Sequence, residues 1–363
     1  MDSEPNYDKI GNQIIYYKSS EDMKEVKDSS IDVIVTSPPY NRSKVYSDDE
    51  GNVYDDQKSE AEYEALLLQV WSECYRVLSS KGMFFLNIGD SANSQGLSNR
   101  IAELAPNAGF FRLQTIIWLK SFLGRGHYTP SGRSRRLNNI FEYIFVFVKD
   151  RKKYRMNPQA IGIPYADKSN IGRYAKSDLR DAGNVWFIPY SRTTGSTIKK
   201  GHEAPFPIEL PYRCIKLTGA KNVLDPFAGT GTTLAAARIL DVNGIGYEKF
   251  PRKKVIQQRI SEHQFFPQPV NLIPHLEQTI YKYVELADNL TFDELLDQNI
   301  FSFTKKEYNE IRIVQDVLDN LRQDTKLFTE YFSYFHTHID KKDLSDKRIE
   351  LTKFFDKSDP NHT

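Results

Sequence analysis

Val223-Leu224-Asp225-Pro226-Phe227-Ala228-Gly229-Thr230-Gly231-Thr232-Thr233 reads as a short apolar strand that ends in an acid and breaks, through a proline and two glycines, into a helix. The helical run continues from Leu234 to Leu240. Glycines at 229 and 231 let the backbone turn tightly and approach a ligand without side-chain interference. The helix start behind them offers backbone N–H groups that have no partner within the helix. Gly244-Ile245-Gly246-Tyr247-Glu248 follows as a second short strand, again ending in an acid. In nucleotide-type βαβ units an acid at this point takes the hydroxyls of a ribose, which makes Glu248 a candidate. A Gly-x-Gly pair alone is weak evidence. It fits a nicotinamide site poorly, because Leu234 stands where Gly-x-Gly-x-x-Gly has its third glycine.

Nearly two hundred residues upstream, Ile31-Asp32-Val33-Ile34-Val35 reads as another strand, broken abruptly by Thr36-Ser37-Pro38-Pro39-Tyr40. Two consecutive prolines cannot extend a sheet ladder, and they fix two φ angles. Both lack an N–H, so the loop presents carbonyl oxygens without donors of their own. Such a surface suits a primary amino group, with Tyr40 placed to stack on whatever carries it. An ordinary proline turn would look the same in isolation, so the context decides.

Together the two motifs resemble those of the amino-directed DNA methyltransferases, in which Ser-Pro-Pro-Tyr or Asp-Pro-Pro-Tyr marks the catalytic loop and Asp-Pro-Phe-x-Gly-x-Gly-Thr-Thr the cofactor loop. With the catalytic motif first and the cofactor motif last, the order resembles the family's β class. His202-Glu203-Ala204-Pro205-Phe206-Pro207-Ile208-Glu209-Leu210-Pro211 is similar to the segment before the family's cofactor strand, and Asn139 to Phe147 to its late strand. The resemblance covers about residues 12 to 262.

It implies a Rossmann-like, doubly wound, mostly parallel α/β sheet and S-adenosylmethionine as the cofactor. The reaction implied is methylation of the exocyclic amino group of a flipped base in double-stranded DNA, as in restriction–modification systems. The catalytic residues carried over are Ser37, Pro38, Pro39 and Tyr40. Those for the cofactor are Thr36, Phe206, Asp225, Pro226, Phe227, Ala228, Gly229, Thr230, Gly231, Thr232 and Glu248. Family members often carry a cofactor-contacting Asp near position 18–20. Here Lys18-Ser19-Ser20 stands instead, and Glu21 or Asp22 is the expected substitute. Serine at the first motif position resembles the cytosine-N4 enzymes, with adenine N6 as the alternative target. A protein of the same fold that binds DNA without methylating it is a further alternative. A cognate restriction endonuclease and a homodimer are both left open, and no metal is required.

The net charge of +1 over 363 residues conceals an uneven distribution. Residues 118–202 hold 17 Lys and Arg against 5 Asp and Glu, a net of +12, whereas residues 264–363 come to −6. The basic stretch, studded with Tyr128, Tyr154, Tyr165 and Tyr174, suits a phosphate-binding surface. It lies between the two motifs, where relatives of this order carry their target-recognition region. Arg125, His127, Arg133, Arg135, Arg136, Lys152, Lys153, Arg173, Lys199 and Lys200 are the DNA-contact candidates. The two cysteines, Cys74 and Cys214, have no metal spacing and no Pro-Cys context, so they read as buried small hydrophobes. With neither a signal-like region nor a run of 18 apolar residues, a soluble, cytoplasmic, nucleoid-associated protein is expected.

The remaining expectations concern organisation. They are a strand at 12–17, a helix over Ser19–Lys27, a loop at 42–57, and a helix from Ser59 to Leu78 opened by a capping box. Strands follow at 82–90, 113–119 and 140–148, with Asn87 and Asp90 at a strand end that lines a site or caps. Residues 150–200 read as loop-rich, with 184–188 returning to the catalytic domain. That domain spans 1–263, with its recognition region at about 120–200. Residues 264–363 read as an acidic, helical C-terminal extension.

Overall fold

A computed structural model describes residues 6–41, 45–47, 53–55, 58–90, 94–120, 139–162, 165, 168–173, 176, 177, 179–188, 206–250 and 253–262. These fall into two units, one formed by 6–160 with 183–262 and the other by stretches within 161–182. The expected helical extension at 264–363 lies outside the described residues.

In the larger unit the strands are β1 (Tyr7–Ile10), β2 (Gln13–Tyr16), β3 (Ile31–Thr36), β4 (Val45–Ser47), β5 (Val53–Asp55), β6 (Leu78–Ile88), β7 (Phe111–Leu119), β8 (Phe141–Val148), β9 (Val185–Phe187), β10 (Asn222–Asp225) and β11 (Asn243–Tyr247). The helices are α1 (Glu60–Val77), α2 (Leu97–Ala102), α3 (Leu104–Asn107), α4 (Glu209–Thr218), α5 (Thr232–Ile239) and α6 (Lys253–Glu262). The main sheet has the order β1-β2-β11-β10-β3-β6-β8-β7-β9, and β4 and β5 form a separate hairpin within the expected 42–57 loop. Pairing is parallel from β2 through β6 and between β7 and β9. The β1–β2, β6–β8 and β7–β8 pairs are antiparallel. The sheet is therefore mostly parallel, as expected, with an antiparallel wing.

Two crossovers position the site. β3 connects through α1 to β6 on one side, and β10 connects through α5 to β11 on the other. Right-handed crossovers that move in opposite directions place their helices on opposite faces. Packing agrees. Ile34 and Leu224 bury against Leu67, Val70 and Trp71 of α1. On the other face Leu234 of α5 lies over Gly244 and Gly246, where an added Cβ would come within 2.8 and 2.9 Å of its side chain. The strand order reverses between the neighbours β3 and β10, and ligands of open α/β sheets bind beyond the strand ends at such a point.

The expected capping box at α1 is present: the Glu62 N–H donates to Ser59 Oγ while the Glu62 carboxylate accepts the Ser59 N–H. One expectation fails. Residues 19–27 form turns, not a helix. The Met23 N–H bonds to the Glu73 carboxylate at 2.8 Å, and Arg76 donates to the carbonyls of Met23 and Val26 at 3.0 Å each. These α1 side chains satisfy backbone groups that a helix would have paired internally, while Met23 and Val26 bury into the core. Strand β6 also starts four residues earlier than expected, and β1 has no counterpart among the expected strands.

Candidate active site

At the end of β10, Asp225 is fully enclosed, and burial pushes its carboxyl up to about 6. The Thr233 and Thr36 hydroxyls and the Phe227 N–H act against that shift. Thr36 Oγ1 donates to Asp225 Oδ1 at 2.6 Å, and the Phe227 N–H donates to the same oxygen at 3.0 Å. The two sequence motifs are thus joined at adjacent strand ends.

Beyond Asp225 the chain turns through Gly229 at φ 54° and Gly231 at φ 83°, the left-handed region that favours glycine. The loop is held by bonds from the Ala228 N–H to the Tyr247 carbonyl (2.9 Å) and from the Gly231 N–H to the Ala228 carbonyl (2.8 Å). Glu248 follows β11 directly. Its Oε2 accepts the Gly229 N–H and its Oε1 the Phe250 N–H, both at 2.8 Å. The first turn of α5 has no side-chain cap, and the hydroxyls of Thr230 and Thr232 are buried without a hydrogen-bond partner. Uncommitted N–H groups, orphaned hydroxyls and a nearby carboxylate are the donor and acceptor set that a polar nucleoside cofactor requires. The residues present fit S-adenosylmethionine.

The loop after β3 faces this one. Tyr63 of α1 donates to the Pro39 carbonyl at 2.5 Å, whereas the Pro38 carbonyl has no hydrogen-bond partner among the described residues. Asn41, at φ 51°, pairs through its side chain with both the N–H and the carbonyl of Lys58, closing the base of the 42–57 segment. Ser37 Oγ donates to Tyr40 Oη at 3.3 Å, and Tyr40 Oη donates to Glu142 Oε2 at 3.1 Å. Lys120 Nζ sits 3.0 Å from Glu142 Oε1, and both side chains are largely buried. Glu142 and Lys120 were not among the expected site residues. The available signal was an acid within the otherwise apolar strand 140–148.

Other candidates divide by position. Phe206 is half-buried just ahead of α4. Glu21 is engaged by Ser19 Oγ at 2.5 Å, and Asp22 accepts the Lys24 N–H on an exposed turn. Asp90 takes the N–H groups of Gly96 and Ser98 at the start of α2, and Asn87 donates to the Tyr143 carbonyl, so both have structural work. Lys152 and Lys153 are exposed in the turn after β8. Because Val148 is level with Met83, which itself pairs with Val33 near the start of β3, that turn lies at the opposite end of the sheet from Tyr40. Arg173 is exposed in the smaller unit. Arg125, His127, Arg133, Arg135, Arg136, Lys199 and Lys200 lie outside the described residues. The flanks of the 121–138 segment, Lys120 and Asn139, stand at the Tyr40 end of the sheet, where the Lys120 N–H bonds to the Ile140 carbonyl and Asn139 to the Asp90 carbonyl.

Cys74 and Cys214 are buried, as expected, and burial raises both thiols well above their usual range. Among the described residues no cluster of His, Cys, Asp and Glu could hold a metal ion, and no helix is long and apolar enough to cross a membrane.

Comparison with known proteins places the chain in a family. Type II methyltransferase M.MthZI of Methanothermobacter thermautotrophicus is 26% identical over 374 residues, covering 93% of this chain and 98% of its own length. Type II methyltransferase M.MjaI of Methanocaldococcus jannaschii is 30% identical over 299 residues, covering 70% of this chain and 92% of its own. The solved PvuII DNA methyltransferase (cytosine-N4-specific) superposes with a TM-score of 0.48 at 18% identity, covering 72% of this chain and 93% of that one. The N6/N4 DNA methylase family model matches residues 31–258, more than half of the chain. The chain therefore belongs to the N6/N4 DNA methylases, the amino-directed DNA methyltransferases of restriction–modification type.

Proposed function

We propose that this DNA methyltransferase modifies N4 of cytosine, within a sequence selected by the basic region between its two motifs. The observation that carries the reading is the placement of Ser37-Pro38-Pro39-Tyr40 beside the Asp225-to-Gly231 turn, at the switch point of the sheet.

S-adenosylmethionine supplies an electrophilic methyl group on a sulfonium. The residues assigned to hold it are Asp225 to Thr232 and Glu248, with Phe206 and Thr36 at the margins. An exocyclic amino group is a poor nucleophile because its lone pair is delocalised into the ring. Acceptors placed on its N–H bonds draw the nitrogen toward tetrahedral geometry and free that pair. Ser37 Oγ and the Pro38 carbonyl are assigned this role; the Pro39 carbonyl, already bonded to Tyr63, is not. Tyr40 stacks on the base, which must leave the duplex to be reached. Positioning and electrostatics then supply the acceleration, with no covalent enzyme intermediate. The resemblance of Ser37-Pro38-Pro39-Tyr40 to the motif of the cytosine-N4 enzymes supports cytosine over adenine. Arg125, His127, Arg133, Arg135 and Arg136 are assigned to DNA because their segment departs from the Tyr40 end of the sheet.

The test is incubation with unmethylated genomic DNA and S-adenosylmethionine, followed by digestion to nucleosides and mass spectrometry. N4-methylcytosine is the expected product. N6-methyladenine would overturn the base assignment while leaving the family intact. Absence of both across DNAs of varied sequence would overturn the reading as an active enzyme.

A further inference from the structure

The chain of bonds Ser37–Tyr40–Glu142–Lys120 has a direction, and that direction bears on chemistry. Lys120 is a donor only, so Glu142 Oε1, 3.0 Å away, must accept from it. An ionised carboxylate is an acceptor only, so Glu142 Oε2 accepts the single Tyr40 hydroxyl proton. The Tyr40 oxygen is thereby left to accept, and the Ser37 proton points to it. Ser37 Oγ then turns lone pairs, not its proton, to its remaining surroundings. Reversed, the same chain would aim the Ser37 proton outward, where it would oppose an incoming amino N–H.

We propose that Glu142, oriented by Lys120, is a positioning residue that fixes the direction of this chain and makes the neutral Ser37 hydroxyl an obligate acceptor for the target amino group. The inference rests on the assignment of Ser37 under the proposed function and adds to it. The site is built for close approach: a Cβ at Gly89 would meet Glu142 Cγ at 2.6 Å, so only glycine there leaves the carboxylate in place. Lys120 is itself fixed by its N–H bond to the Ile140 carbonyl at 2.7 Å.

The isosteric variant Glu142→Gln tests direction without removing bulk. Lys120 demands the amide oxygen, so the NH2 group faces Tyr40 and donates to it. The tyrosine proton then turns to Ser37, and the chain runs backwards. The expected result is a fall in kcat of about 100-fold, with the KM for DNA and the Kd for S-adenosylmethionine little changed. Adding Lys120→Met releases the amide to turn its oxygen to Tyr40. The double variant is expected to exceed E142Q in kcat by about tenfold, close to the value of one hydrogen bond. A merely structural role for the pair predicts the opposite, a double variant worse than either single one. Gly89→Ala, whose added methyl would come within 2.6 Å of Glu142 Cγ and 3.2 Å of its Oε1 and so displace the carboxylate, should also lower kcat. Full kcat in E142Q, or no recovery in the double variant, overturns the proposal. Wild-type turnover in the same assay separates the two levels. An inactive wild type sinks the underlying reading and this inference with it, whereas with an active wild type the variants alone decide.

Discussion

Thr36 Oγ1 and Asp225 Oδ1, 189 positions apart in the chain, are joined by a buried 2.6 Å hydrogen bond between the ends of adjacent parallel strands. It ties the loop assigned to the base to the loop assigned to the cofactor. Thr36→Val keeps the shape and deletes the donor. Leaving a buried carboxylate short of a partner costs about 1–3 kcal/mol, which urea denaturation would register. Cofactor affinity should fall as well, and Thr36→Ser should restore both. A Val variant as stable and as tight-binding as wild type would show the link to be idle.

Asp225 predicts a pH dependence of unusual sign for an acid. Its folded value of about 6 lies above its ordinary 3.8, so the folded state binds a proton that the unfolded state has released. Below pH 4 both states are protonated and nothing is lost. As pH rises from about 4 to 6 stability falls, and above 6 the full penalty, about 3 kcal/mol, is present. In Asp225→Asn that dependence is absent. The stability of wild type relative to this variant should therefore increase as pH is lowered from 7 to 4. A difference that stays flat with pH counts against the burial argument.

Glu248 has two tasks that mutation can separate. Its carboxylate accepts the Gly229 and Phe250 N–H groups, which holds the glycine turn, and it is assigned to the ribose. Glu248→Ala should weaken S-adenosylmethionine binding by at least tenfold in calorimetry. Glu248→Gln has one carbonyl oxygen for the two backbone donors, so it should bind with intermediate affinity. An unchanged Kd for the alanine variant refutes the assignment.

Much of this arrangement was legible in the chain because proline and glycine act locally. Pro38 and Pro39 end a strand wherever they stand, and Gly229 and Gly231 permit their turn without help from distant residues. The Ser59–Glu62 capping box is equally local. What escaped reading depends on partners remote in sequence. Residues 19–27 have the pattern of a helix, yet Glu73 and Arg76 take up their backbone groups. Glu142 looked like one acid in a strand, and only the pairing of β6 with β8 brings it to Tyr40. Lys152 and Lys153 counted toward basic charge, but charge in the sequence does not reveal which end of a sheet receives it.

The cysteines give a prediction of no effect on chemistry. Both thiols are buried, and burial disfavours the thiolate that a covalent mechanism would need. The double substitution of Cys74 and Cys214 by Ala should leave kcat within a few-fold of wild type. Stability should drop by about 1–2 kcal/mol per site from the small cavities left behind. Loss of turnover in a variant that still binds S-adenosylmethionine would contradict direct transfer.

Tyr40 combines two functions, and two substitutions rank them. Tyr40→Ala removes the ring on which the extruded base rests, a contact worth about 1–3 kcal/mol, and it also cuts the chain to Glu142. Turnover should be abolished, while cofactor affinity, set by the loop after β10, stays nearly intact. Tyr40→Phe keeps the ring and removes only the hydroxyl, so Ser37 loses the acceptor that orients its proton. Its kcat should fall between wild type and the alanine variant, with DNA affinity close to wild type. The comparison is best made by single-turnover kinetics, which separate the methyl-transfer step from product release. If the two variants lose kcat equally, the hydroxyl dominates and stacking contributes little. If Tyr40→Phe is fully active, the ring suffices and Ser37 does not depend on its bond to Tyr40. Full activity in Tyr40→Ala would remove this loop from the catalytic assignment altogether.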